Sequence, residues 1–182
     1  RYGLMLVAMG RPEEAASQCD EAERLDPLNL IACEELAETR FLLRQYERVI
    51  EDMMKVVRLN PKHSIAYLKM ALSHYQLGNL DGFLENYLEA SKSAGASEFY
   101  LRELDNGFKK GGAAGLFAVA AIFAERQDPD RPYHSQEMIM TNAAAGNHER
   151  ALEYLELACD QKSPYLIWTI TAPYLDALRG DP

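Results

Sequence analysis

Apolar residues recur three and four positions apart along most of this chain, in runs closed by Gly or Pro. The pattern predicts helices near 1–9, 12–25, 30–43, 46–59, 64–77, 80–93, 98–110, 113–126, 133–145 and 148–161, and no strands. The runs also repeat. Residues 10–27 and 44–61 align with Glu13 on Glu47, Arg24 on Arg58, Leu25 on Leu59 and Pro27 on Pro61, an offset of 34. Stepping by 34 gives Ala15, Val49, Phe83, Phe117 and Ala151, then Cys19, Met53, Tyr87, Ala121 and Leu155, then Ala22, Val56, Ala90, Ala124 and Ala158, all apolar. The same step from Gly10 gives Arg44, Gly78, Gly112 and Gly146, and Gly, present at four of the five, lets a helix end in a left-handed turn. From Pro27 it gives Pro61, Gly95, Pro129 and Ser163, where the second helix of each unit stops. The register holds to Ser163 without an insertion.

A fixed period of this length marks a stacked helix–turn–helix array, and here it resembles the tetratricopeptide repeat. The first-helix positions of that family fall on Cys33, Leu36, Ala37 and Arg40, and on Tyr67, Met70, Ala71 and His74. The first unit keeps Tyr2, Gly3 and Leu6. The matches are poorer at Leu101, Leu104, Asp105 and Phe108 and poorer again at Ser135, Met138, Ile139 and Asn142, while 146–158 fits closely. The resemblance implies an all-α, right-handed superhelical solenoid of about five units, at 1–27, 30–61, 64–95, 98–129 and 132–163, forming one domain over 1–182. Each unit pairs two amphipathic helices that can bury their apolar stripes only against neighbours. Gly107, Gly111, Gly112 and Gly115 weaken the helices of the fourth unit, which should be the least regular.

The tail from 164 to 182 breaks the period. An array needs an atypical end to cover its last apolar face, and Tyr165, Leu166, Ile167, Trp168, Ile170, Tyr174 and Leu175 can supply it. The helix at 146–158 followed by Pro173, Asp176, Leu178, Arg179, Asp181 and Pro182 also resembles the end of repeat modules attached to bacterial signalling proteins, among them winged-helix regulators, protein kinases and nucleotide cyclases. The chain opens on Arg1 without a Met and reads as a piece of a longer protein.

Composition narrows the function classes. The net charge of −9 argues against nucleic-acid binding by this domain, which runs on phosphate neutralisation by Lys and Arg. Three cysteines in no CxxC or Cys/His spacing argue against a disulfide framework, making a reducing compartment the default: cytoplasm, with periplasm as the alternative. The longest apolar run, 111–124, is too short to span a bilayer as a helix, so no membrane insertion is expected.

Catalytic chemistry finds no foothold. The four histidines make no HExxH motif and no zinc spacing; His63 and His134 sit near helix starts and read as solvated, and His74 as facing a helix contact. Cys33 and Cys159 fall on apolar faces and read as small core residues. No enzyme activity, metal or cofactor is expected.

What remains is surface. In the repeat family the first helices line a concave groove that takes extended or helical peptides. By register this implies Glu34, Glu38 and Phe41 in the second unit, Ile65, Leu68, Lys69, Leu72 and Tyr75 in the third, Arg102 and Asn106 in the fourth and Tyr133 in the fifth. Leu68, Leu72 and Tyr75 share one helix face, suggesting either an apolar anchor or packing on a neighbour. Only Arg102 and Asn106 suit the family's clamp for chaperone C-termini, and Glu34, Glu38 and Glu137 oppose it, so that reading is rejected. A peptide carrying basic and apolar residues suits the groove better. The expected function is non-catalytic protein or peptide binding as the regulatory or sensory module of a signalling protein. The alternatives are a free-standing adaptor or secretion chaperone, a self-associating module such as a homodimer, and a small-molecule receptor with a pocket among Tyr75, Phe99 and Tyr133.

Overall fold

The computed structural model describes residues 2–26, 29–127 and 134–179. Every regular element among them is helical: α1 Tyr2–Ala8, α2 Pro12–Leu25, α3 Leu30–Leu42, α4 Tyr46–Leu59, α5 Ser64–Gln76, α6 Leu80–Ser93, α7 Glu98–Ala124, α8 His134–Ala145, α9 His148–Asp160, α10 Leu166–Thr169, and a 3-10 helix over Pro173–Leu178. The protein is all-α. Pro27, Pro129 and Tyr133 lie outside the described residues.

The turns carry the period into the backbone. Gly10, Arg44, Gly78, Gly112 and Gly146, spaced by 34, all have positive φ, from 59° to 83°. At four of these turns the amide one residue further on donates to the carbonyl five residues back: Arg11 to Leu6, Gln45 to Arg40, Asn79 to His74 and Asn147 to Asn142, each at 2.9 Å. This left-handed cap satisfies carbonyls that would otherwise be orphaned at the helix end. Side chains close helix starts. Asn29 accepts from the Ala32 amide at 3.1 Å, His63 Nδ1 from the Ala66 amide at 3.2 Å, and Asn79 from the Gly82 amide at 3.0 Å.

The chain divides into two compact units, residues 1–97 and 98–182. In the first, α1 to α6 form three successive hairpins, and α3 touches both α1 and α5. Its core follows the apolar rows: Ala15, Val49 and Phe83 are fully enclosed, with Cys19, Met53 and Tyr87 beside them. Thr39 is buried against Gly3 of the preceding hairpin.

In the second unit α7 is two arms. All but two of its 27 residues are helical, the exceptions being Gly111 (φ −142°, ψ 20°) and Gly112 (φ 59°, ψ −147°). The composition of this helix alone would suit a membrane span, but an arm of about a dozen residues reaches only ~18 Å, well short of the ~30 Å of a bilayer core. The arms pack backbone to backbone. A Cβ on Gly107 would lie 2.6 Å from the Gly115 carbonyl oxygen, and one on Gly115 would overlap the Gly107 carbonyl oxygen. Here glycine permits a contact rather than loosening a helix.

The end of the chain closes over α8 and α9. Ile139, Ala143, Ala151, Ala158, Leu175 and Leu178 form one buried cluster, with Leu166 and Tyr174 packed on it. Ile167 and Ile170 do not join it: they are 39% and 50% exposed. In α10 only the face carrying Leu166 and Thr169 turns inward, and Ile167 and Ile170, three apart, share the other. Arg179 folds the tail back by donating to the carbonyls of Ile170 at 2.8 Å and Ala172 at 3.3 Å while pairing with Asp176. Two more expectations are corrected. Cys159 is exposed, and His134 is buried with its Nδ1 unpartnered, because its ring packs edge-on to Tyr154 at 6.3 Å.

Candidate functional site

The N-terminal unit presents the face on which most of the candidate residues stand. Helices α3 and α5 are first helices of successive hairpins and lie in contact. Two polar side-chain pairs cross between them. The His63 ring, having used Nδ1 to cap α5, turns Nε2 to the Glu34 carboxylate at 2.8 Å. Glu38 pairs with Lys69, whose ammonium also sits 5.6 Å from the centre of the Phe41 ring. Of the two acids expected to make the groove acidic, Glu38 is thus matched by an ammonium from the next hairpin and Glu34 by an imidazole N–H. A cation over an aromatic face adds about 0.5–1 kcal/mol where it is solvent-accessible.

Below this charged layer the apolar candidates separate. Phe41 and Leu72 are core residues, 2% and 6% exposed, and cannot anchor a ligand as they stand. The reason is geometric: α5 packs on α6 of its own hairpin and on α4 and α3 of the preceding one, so the inner half of the Leu68–Leu72–Tyr75 stripe packs inward. Tyr75 is half-buried against Phe83, with ring centres 5.4 Å apart. Leu68 is half-buried and Ile65 is 52% exposed, so both remain accessible on this face. Arg102 and Asn106 belong to the second unit; both are exposed, and Asn106 reaches Glu103 at 3.4 Å. Tyr133 lies outside the described residues, and with it the third corner of a Tyr75–Phe99–Tyr133 pocket.

A buried charge constellation ties the first two hairpins together. Arg40, 1% exposed, donates to Asp52 within its own hairpin and to Glu23 at 2.7 Å and Asp20 at 3.4 Å in the preceding one. Lys55 bridges Glu23 at 2.7 Å and Asp52 at 3.2 Å, and Arg48 reaches Asp20 at 2.6 Å. One signal pointed to it: the 34-residue step through Arg40 reads Leu6, Arg40, His74, Phe108 and Asn142, with a permanent charge at Arg40 alone. A buried guanidinium requires a carboxylate nearby. Cys19 and Cys33 border this network, and burial pushes both thiols up, so neither is an activated nucleophile. Among the described residues no group of three His, Cys, Asp or Glu side chains could hold a metal.

The network makes stability depend on pH. Hydrogen bonds from Lys55 and Arg40 hold the Glu23 carboxyl at about 2, against 4.5 for a free one. A depressed carboxyl stabilises the fold above its unfolded value and loses that contribution as pH falls through the folded one. Thermal denaturation should therefore show the melting temperature falling between pH 4.5 and about 2. A Glu23→Gln variant should show a shallower fall over the same window. Parallel curves would remove Glu23 from the explanation.

Comparison with known proteins finds no family model that matches the chain and no matching curated protein.

Proposed function

We propose that this chain is a non-catalytic protein- or peptide-binding scaffold of tetratricopeptide type, a right-handed solenoid of about five helix pairs serving as the regulatory or sensory module of a larger signalling protein. The observation that carries the reading is the α3–α5 face, where exposed Ile65 and half-buried Leu68 stand beside the Glu38–Lys69 and Glu34–His63 pairs. The 34-residue recurrence of left-handed hairpin turns supports the repeat assignment. An apolar spot rimmed by two partnered carboxylates suits a peptide that offers an apolar side chain to Ile65 and competes, through Lys or Arg, for Glu34 or Glu38.

The test is selection of short peptides from a display library on the full chain. Enriched peptides should pair an apolar residue with a nearby Lys or Arg. Ile65→Asp should weaken them about tenfold, the scale of one lost side-chain burial, with helicity by circular dichroism unchanged. Selection of nothing, or of peptides indifferent to both Ile65→Asp and Lys69→Glu, would remove this face from consideration.

A further inference from the structure

The connection inside α7 is unlike the other hairpin turns. Between α1 and α2, α3 and α4, and α5 and α6, three residues stand outside the helices. The last of each three, Arg11, Gln45 or Asn79, has non-helical dihedrals and starts the next helix. Asn147 does the same before α9. The equivalent residue in α7 is Ala113, a good helix former that is already helical. Only Gly111 and Gly112 interrupt 27 residues of helix. Gly112, at φ 59° and ψ −147°, occupies a region open to glycine almost alone, yet glycine also accepts helical values.

We propose that α7 is a hinge: its arms open at Gly111–Gly112 into one continuous helix, and two copies of the chain exchange the segment from residue 113 onward. The contact between arms is then rebuilt between copies, with Gly107 of one chain against Gly115 of the other, and Tyr100 against Phe123, whose rings lie 4.5 Å apart in the closed form. Closed monomer and exchanged dimer share every side-chain contact of the arms and differ at two sets of backbone dihedrals. A turn this short leaves no slack, the circumstance in which segment exchange competes with closure. The poor helix propensity of two adjacent glycines holds the balance toward the closed form.

Gly111→Ala with Gly112→Ala moves that balance. No atom lies within 4 Å of a Cβ at either position, so the substitution acts on the backbone and not through a clash. The dimer fraction by light scattering should rise about tenfold or more over wild type at equal concentration, as two Gly→Ala changes in a helix imply. Spin labels on Glu98→Cys and Ile122→Cys in a Cys159→Ser background, diluted with unlabelled chain, should move from side by side to about 36 Å apart. Inserting Gly-Asn-Gly after Gly112 should restore a monomer with close labels. A double-alanine variant that stays monomeric with close labels, or loses its helical signal, would overturn the proposal. So would a dimer whose labels stay close, since it would be joined through another surface.

Discussion

Arg40→Met is expected to destabilise the N-terminal unit by about 3 kcal/mol, because it takes the buried guanidinium from Asp52 and leaves that core carboxylate only its contact with Lys55. Both partners lie deep, Arg40 at 1% and the Asp52 side chain at 4% exposure. The attraction between them offsets a desolvation cost that neither can meet alone. Lys55, already bonded to Asp52 at 3.2 Å but 40% exposed, offsets only part of the loss. Met retains most of the length of the Arg stem, so the effect reads charge more than volume. Urea denaturation of the full chain, with hydrogen exchange of the α3 and α4 amides to locate the change, measures it. Arg40→Met combined with Asp52→Leu should recover most of the loss, since an apolar pair of similar volume commonly replaces a buried ion pair at no net cost. If the single variant loses under about 1 kcal/mol, the pair does not govern the packing of these hairpins.

Gly115→Ala carries the second large effect, a loss of about 3 kcal/mol in the C-terminal unit, at the upper end for one added carbon in a close-packed site. Ala has the better helix propensity, so on an isolated helix the change would stabilise. In place, the new Cβ meets the Gly107 carbonyl oxygen, a backbone atom that cannot move aside as a flexible side chain would. The arms must separate, which loosens Tyr100 and Phe123 across the same seam. Denaturation followed through Trp168 fluorescence reports on this unit. Gly111→Ala in the same assay is the control, having open space at its Cβ. Equal effects at 111 and 115 would show that propensity, not the contact, sets the response.

Both sites depend on contacts between separate helical segments. The helix boundaries were legible because they depend on local chemistry. The recurrence of Gly10, Gly78 and Gly146 announced left-handed turns, and Arg44 adopts one in the same register without being glycine. Ala15, Val49 and Phe83 announced the buried rows. The four glycines of α7, by contrast, read as weak helix, whereas Gly107 and Gly115 form its tightest seam, because propensity describes a residue alone and the seam requires two segments. Phe41 and Leu72 satisfied the spacing of a groove face but face the core, because helix periodicity locates a stripe without saying which half a neighbour will cover.

Sequence alone therefore determined that this chain is all-α, where the helices up to α9 start and stop, and the 34-residue spacing of its turns, since capping, left-handed turns and apolar periodicity act within a few residues. Tertiary structure alone decided which charges are buried together, which glycines touch, and which apolar residues of α3 and α5 remain exposed. Arg40 lies 17 residues from Glu23 and 12 from Asp52, and Lys69 lies 31 from Glu38. Those distances along the chain are closed only by packing hairpin on hairpin, so the energies that depend on them are absent from any window of sequence.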